Sequence, residues 1–229
     1  LNTAVAEVLG RFADRLEQGT DREGTIRALL QETLEQHGRI LFNGDGYSEE
    51  WQQEAERRGL LNLRTAPEAF AHLTEEKNVA LFAKHGIFTA AELASRQEIH
   101  YETYAKCIRI EAATMAEMVR RQILPAVSAV TAELCERGWK KEQMGVSHKA
   151  DDTVARDMGQ LTDKLFAVTE KLERDLAKIP ADAKKAMTYS HTTLVPDMEK
   201  ARTLADELET LTPKDCWPFP VYSDLLFSV

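Results

Sequence analysis

The chain has 229 residues, of which 43% are hydrophobic and 29% charged, and its formal net charge is -9. This length can bury a core of ordinary size, as one large or two small domains. The acidic balance argues against a sequence-independent nucleic-acid surface, which needs clustered Lys and Arg side chains. Gly and Pro are few, and charged residues interleaved with Ala and Leu favour helices. The sequence therefore predicts a mainly α protein.

The spacing of the cysteines and the length of the apolar segments bear on where in the cell the protein is expected. Cys107, Cys135 and Cys216 are odd in number and widely spaced, so they predict neither a disulfide framework nor a metal knuckle. No run of eighteen apolar residues occurs, so no membrane segment is expected. The simplest expectation is a cytoplasmic protein. The chain opens without methionine in an apolar stripe of helical spacing, and this opening suggests a fragment.

Helical spacing and capping residues predict two helices at the start of the chain. An apolar stripe runs from Leu1 to about Gln18, and a second pattern begins at Asp21. The second pattern ends at His37, where Gly38 is expected to adopt the left-handed conformation of a helix C-terminal cap.

Residues 43–46 predict a turn, because Asn, Asp and Gly tolerate positive φ. Ser48 is expected to cap the next helix and Gly59 to end it. We interpret the turn as structural, delivering Tyr47 and Trp51 to a core. The alternative is a phosphate-binding loop, which is disfavoured because the segment lacks a lysine and the Walker spacing.

Long helices are predicted for the rest of the chain. Capping boxes at residues 65–68 and 89–92 mark helix starts, because each places a hydroxyl and a carboxylate to satisfy reciprocal backbone amides. From residue 89 the apolar residues keep helical spacing to Gly138, where this pattern meets a glycine. Two further long patterns follow, at residues 147–179 and 182–211.

Pro125 and Pro196 lie inside two of these long patterns. Each removes one backbone hydrogen bond and crowds the preceding turn, so each is expected to bend its helix. The bends should lie in register if the two helices pack side by side. We predict that residues 89–211 form an antiparallel bundle of long, proline-kinked helices.

An aromatic and proline-rich tail closes the chain at residues 213–229. Its prolines restrict the backbone, so the tail is predicted to be extended or turning rather than helical. Five apolar side chains then need cover: Trp217, Phe219, Tyr222, Leu225 and Phe227. Two interpretations stay open, since the tail can seal its own helices or dock on a neighbouring subunit. Both make it an anchor.

No catalytic constellation is evident in the sequence. The histidines, at positions 37, 72, 85, 100, 148 and 191, form no metal-binding pair, and helix-end or surface roles are expected for them. The carboxylates Glu98, Glu102, Glu111 and Glu117 lie among Lys and Arg residues, as on a solvated helix face that carries ion pairs. We therefore predict no catalytic, cofactor-binding or metal-binding residue, and no activity within these 229 residues.

Several segments resemble the C-terminal portion of type III glutamine synthetases. The segments that resemble this family most are residues 42–51, 54–60, 84–86, 122–127 and 217–220, with Asp224 to Phe227 beyond them. The resemblance covers nearly all of the chain and is weakest between about residues 139 and 185.

The resemblance implies an enzyme that joins ammonia to glutamate with ATP and Mg²⁺ or Mn²⁺, through γ-glutamyl phosphate. The family's recognisable catalytic motifs precede the point that matches Leu1, so no catalytic residue is carried over to this chain. Residues 1–65 would be the last helical part of the catalytic domain. Residues 66–229 would be the added C-terminal helical bundle, with a docking tail at 213–229.

The partners that the resemblance implies are the rest of the synthetase chain and neighbouring subunits in a ring-based homo-oligomer. Neither nucleic acid nor a membrane is an expected partner. The expected role of this piece is structural. The alternative is a stand-alone helical scaffold or adaptor that derives from the same region but binds a different partner.

Overall fold

The computed structural model describes residues 1–227, with the side chains of Tyr222, Ser223 and Phe227 excepted. By their contacts the residues divide into two compact units, Leu1–Ile99 and His100–Val229. All regular structure in the described part is helical, which confirms the mainly α prediction. No described helix is long and apolar enough to cross a membrane. The proposed division at residue 65 stays a prediction.

The first unit consists of short helices joined by capped turns. Its helices are α1 (Asn2–Gln18), α2 (Arg22–His37), α3 (Glu49–Arg57), α4 (Ala66–Ala71), α5 (Glu76–Lys84) and the start of α6 (Ala90–Met118). The predicted caps are confirmed: Ser48 accepts a hydrogen bond from the Trp51 amide, and the Thr65 and Thr89 boxes are formed. Local sequence therefore sets where these helices begin.

Two predictions for the first unit are wrong. Gly38 has φ -56° and ψ -21°, because the chain tightens after α2 into a 3₁₀ turn, Gly38–Ile40, instead of reversing. The predicted end of α3 is confirmed at Gly59, which has φ 71°, and Gly86, with φ 61°, likewise follows α5. Tyr47 is 98% exposed and reaches no core, whereas Trp51 does pack on Phe42, with ring centroids 4.6 Å apart.

The first two helices leave apolar faces uncovered. No residue of α1 is buried, and Leu29 is the buried residue of α2. Leu9 and Leu30 are each 60% exposed. Polar contacts join α1 to the end of α5, where Glu7 accepts hydrogen bonds from Lys84 and His85. These faces have the character of surfaces that a further part of a protein covers.

The second unit is built from long helices. Its elements are the remainder of α6, a π-helical turn (Val119–Ile123), α7 (Leu124–Gln143), α8 (Lys149–Leu176), α9 (Ala183–Tyr189), a second π-helical turn (Ser190–Leu194), α10 (Val195–Leu211) and α11 (Tyr222–Phe227). Each proline is preceded by a π-helical turn, which ends two residues before Pro125 in one helix and two residues before Pro196 in the other. A wider turn relieves the missing amide and the ring clash.

The long helices pack as neighbours in opposite directions. Arg120 pairs with Glu173, and Lys141 pairs with Asp151. Residue numbers thus rise along one helix as they fall along the other, so α8 runs antiparallel to the α6–α7 helix. Helix α10 also packs against α8. The predicted bundle is confirmed.

The main core lies where α8 meets its two neighbours. Its fully buried members include Val127 of α7, Met158 and Leu165 of α8, and Leu208 of α10. A second cluster surrounds Leu172 and Leu194 near the second π-helical turn. Both clusters combine residues from all three long helices.

The long helical pattern does not end at Gly138. Helix α7 continues to Gln143, and the left-handed glycine that follows it is Gly145, with φ 69°. Gly138 is buried at a close approach to α8, where an added Cβ would lie 2.7 Å from Asp152 Oδ1. Glycine at this position serves interhelical contact, so it does not mark a helix end.

The tail differs from the prediction in its last part. Tyr222–Phe227 forms a short helix, which the prediction of a non-helical tail missed. Trp217 and Phe219 pack against the main core, with ring centroids 6.2 Å apart in an edge-to-face arrangement. Leu225 is 64% exposed, so the helices of its own chain do not bury it. The predictions for Tyr222 and Phe227 lie outside the described side chains.

Candidate functional site

The loop before α3 is a self-contained structural turn. Asp45 Oδ1 accepts a hydrogen bond from the Tyr47 amide at 2.9 Å, and Ser48 Oγ accepts one from the Trp51 amide at 3.3 Å. Amides that would face an anion in a phosphate-binding loop are thus used by the loop's own side chains. A carboxylate at Asp45 would also repel phosphate. This geometry favours the structural interpretation over the phosphate-binding alternative.

Four of the histidines lie at helix ends, as predicted. Helix ends hold His37, His72, His85 and His148. His191 instead lies in the second π-helical turn, where its Nδ1 is 3.1 Å from the Tyr104 hydroxyl. Within residues 1–227, no group of three or more His, Cys, Asp or Glu side chains could hold a metal ion.

The acidic face of α6 carries ion pairs, as predicted. Lys106 Nζ lies 2.6 Å from Glu102 Oε2, and Arg121 Nη1 lies 3.0 Å from Glu117 Oε1. Both pairs join residues four positions apart on an exposed helix surface. Pairs of this kind contribute little to stability and do not form an acid–base site.

A buried carboxylate network joins α8 to α10. Lys171 contacts both Asp175, at 2.9 Å, and Asp197, while Lys178 contacts the other oxygen of Asp175 at 2.8 Å. The Asp197 side chain is 4% exposed and that of Lys171 is 48% exposed. Hydrogen bonds from Lys178, and then from Lys171, hold the pKa of the Asp175 carboxyl below its usual range. The network is an interhelical clamp close to the second π-helical turn.

Replacing Lys171 with methionine should lower the free energy of unfolding by about 1–3 kcal/mol at pH 7, because two buried carboxylates lose a shared partner. The ionised Asp175 carboxylate contributes to folding stability above pH 3.8, and this contribution is lost as the pH falls through the lower pKa of the folded state. The difference in unfolding free energy between the variant and the original protein should therefore become smaller in acid. Urea unfolding at several pH values measures this. The control is Lys164→Met on the exposed face of α8; an equal effect there would contradict the clamp.

An apolar groove lies on the second unit, between α6 and α10. It encloses about 610 Å³. One wall carries Ile110, Thr114 and Met118 at four-residue spacing, and the opposite wall carries Ala201, Ala205 and Glu209 at the same spacing. Equal spacing on two helices forms two parallel ridges with a channel between them. Residues of the tail close one end.

The chemistry of the groove suits apolar contact. Its floor includes Met115, Val119 and Ile123, which belong to or pack on the main core. Ala201 and Ala205, on the α10 wall, are themselves buried members of the main core. The charged groups lie at the rim, where Arg202 Nε donates to Asp206 at 2.6 Å. The lining is therefore mainly apolar, and its charged members are Glu111, Arg202, Asp206 and Glu209.

Sequence reasoning missed this groove, because its walls are 90 residues apart in the chain. Ile110 and Met118 lie outside the apolar stripe that helical spacing indicates on α6, so sequence reasoning assigned them no role.

Comparison with known proteins places the chain in a family. Residues 25–142 match the family model described as the glutamine synthetase C-terminal domain. A glutamine synthetase from Butyrivibrio fibrisolvens is 35% identical over 221 residues, which are 92% of this chain and 31% of that protein. A type-3 glutamine synthetase from Dictyostelium discoideum is 33% identical, over 99% of this chain and 32% of that protein.

A third relative agrees with these two. A glutamine synthetase from Bacteroides fragilis (strain YCH46) is 31% identical over 100% of this chain and 33% of that protein. The chain therefore spans about a third of the length of the curated relatives that it matches. The matched region takes in α2 through α7, which includes one wall of the groove. The chain belongs to the glutamine synthetase C-terminal domain family.

Proposed function

We propose that this chain is the structural, C-terminal part of a type III glutamine synthetase and contributes to subunit assembly. The complete protein joins ammonia to glutamate with ATP, through γ-glutamyl phosphate, in the cytoplasm. The proposal rests on the coverage of the matches, which take in 92–100% of this chain but only 31–33% of each relative. In this proposal the catalytic residues lie in the remaining two thirds.

Three structural features support a role in assembly. Apolar stripes on α1 and α2 are uncovered, with Leu30 60% and Leu34 59% exposed. The groove between α6 and α10 is apolar and open. The tail carries the exposed Leu225 and Leu226 beyond its partly buried aromatic residues. Surfaces of this kind are covered in larger assemblies, because single chains rarely expose them to water.

ATP and Mg²⁺ or Mn²⁺ are the cofactors proposed for the complete protein. The described residues do not fit either group. No group of metal-ligating side chains converges within residues 1–227, and the loop at Asp45 uses its amides internally. We therefore assign no step of the reaction to residues of this chain.

Purification of the native polypeptide by a C-terminal tag tests the proposal. We expect an oligomer that releases phosphate from ATP only when glutamate, ammonium and a divalent cation are all present. The 229-residue chain expressed alone should give no such activity. A native polypeptide of this chain's size that lacks ligase activity would contradict the proposal and support the scaffold alternative.

A further inference from the structure

The second π-helical turn contains a buried hydroxyl group that no described residue binds. Ser190, the first residue of this turn, is fully buried, and its Oγ forms no hydrogen bond with any part of the chain that the structure describes. Buried polar groups in folded proteins are normally hydrogen-bonded, and a hydroxyl without a partner destabilises the conformation that buries it. Ser190 therefore weakens the turn that it begins.

Other hydroxyl groups in these helices are satisfied by the backbone of their own helix. Thr188 Oγ1 donates to the Lys184 carbonyl at 3.0 Å, and Thr192 Oγ1 donates to the Thr188 carbonyl at 2.9 Å. The buried Thr169 of α8 likewise donates to the carbonyl four residues before it, at 2.8 Å. Ser190 lies between Thr188 and Thr192 but does not follow this pattern.

The polar groups closest to Ser190 along the chain have other partners. His191 Nδ1 lies 3.1 Å from the Tyr104 hydroxyl of α6, and Asp197 is bound by Lys171 of α8. The other residue that the turn buries is Leu194, which belongs to the second core cluster. The buried face of this turn is thus shared by an unbonded hydroxyl and an apolar cluster.

The first π-helical turn, which begins at Val119, provides a direct comparison. Both turns end two residues before a proline, and their backbones close in the same way. The Leu124 amide donates to the Val119 carbonyl, as the Val195 amide donates to the Ser190 carbonyl. The buried residues of the first turn, Val119 and Ile123, are both apolar. The two turns therefore differ in the chemistry of their first buried position.

We propose that the second π-helical turn is a hinge, at which α9 changes direction relative to α10 while the α6–α7 helix stays closed at its own turn. Three features favour opening at the second turn: the wider backbone, the missing amide of Pro196 and the unbonded hydroxyl of Ser190. The first turn shares the wide backbone and the proline but has no such hydroxyl.

Contacts on both sides of the hinge limit its motion. Tyr104 contacts His191 near the start of the turn, and Lys171 binds Asp197 beyond its end. Opening between these two contacts would let the Ser190 hydroxyl reach water without separating α10 from α8. The hinge is a property of this unit alone, so it does not rest on the proposed function.

Hydrogen–deuterium exchange in the intact protein tests the hinge. Exchange of a helix amide reports how often the helix opens at that place. After correction for intrinsic rates, we expect the amides of residues 190–197 to exchange about tenfold faster than those of residues 119–126. Equal exchange in the two segments, or slower exchange in residues 190–197, would overturn the inference.

Ser190→Ala tests the cause of the opening. Removing a hydroxyl that no described residue binds should slow exchange in residues 190–197 by about tenfold, raise the melting temperature and leave residues 119–126 unchanged. Faster exchange or a lower melting temperature would mean that the hydroxyl has a bound partner such as a buried water molecule. Either result, or unchanged exchange, would contradict the proposal.

Thr192→Ala is the matched control in the same turn. Thr192 is exposed, and its hydroxyl is bonded to the Thr188 carbonyl. Both substitutions introduce alanine, which forms helices more readily, so the control measures the effect of helix propensity, about threefold or less in exchange rate. If Thr192→Ala slows exchange as much as Ser190→Ala does, the buried hydroxyl is not the cause and the inference fails.

Discussion

Replacing Leu165 with alanine is expected to lower the free energy of unfolding by about 3 kcal/mol. Leu165 is fully buried in α8 and belongs to the core that this helix shares with α7 and α10. Loss of its side chain leaves a cavity that the three helices can close only by moving together. Urea unfolding, followed by far-ultraviolet circular dichroism, measures the change.

The adjacent residue provides the control for this substitution. Phe166 is 42% exposed and lies under the Arg120 guanidinium, 4.8 Å from its ring centroid. Phe166→Ala removes more atoms than Leu165→Ala but few core contacts, so its cost should stay near 1 kcal/mol. An equal or larger loss in the Phe166 variant would contradict the orientation of α8 in the bundle.

Removing residues 217–229 is expected to lower the melting temperature by about 5–10 °C and to weaken the assembly. Trp217 and Phe219 cover part of the main core, and their removal would expose it to water. Buried aromatic side chains contribute several kilocalories per mole through area and edge-to-face contact. Scanning calorimetry and light scattering measure the two effects.

A shorter deletion separates the two roles of the tail. Removing residues 221–229 keeps Trp217 and Phe219, so the melting temperature should stay near that of the intact chain while association weakens. If the longer deletion changes neither the melting temperature nor the particle mass, the tail is not an anchor. If the shorter deletion lowers the melting temperature as much as the longer one, the stabilising contribution of the tail comes from α11 and not from Trp217 and Phe219.

Helix starts were predictable from sequence because capping is local. Ser48, Thr65 and Thr89 each satisfy amides within three residues, so the signal lies in a few adjacent letters. The antiparallel bundle was predictable as well, because apolar stripes of three long helices leave few other ways to bury them. The structure differs where a residue's role depends on a distant partner.

The glycines illustrate this limit. Gly38 and Gly138 both follow long helical patterns and read as helix ends. Gly38 instead continues into a 3₁₀ turn, and Gly138 lies against Asp152 of the next helix. A Cβ added at position 138 would lie 2.7 Å from Asp152 Oδ1, so the approach of α8 restricts the space for a side chain there. Sequence spacing alone cannot indicate that approach.

The candidate site shows the same dependence on tertiary contacts. Its walls come from α6 and α10, and its closed end comes from the tail, so no contiguous motif encodes it. What these residues do encode is packing: buried leucines, small alanines on α10 and an aromatic pair that covers the core.

The mass of the native polypeptide tests the central claim most directly. Antibodies raised against the tail would isolate the protein from its own cells, and denaturing mass spectrometry would give its intact mass. The account predicts about three times the 25.8 kDa of this chain, because the chain spans 31–33% of its relatives. A mass near 25.8 kDa would contradict it and identify a self-standing helical protein.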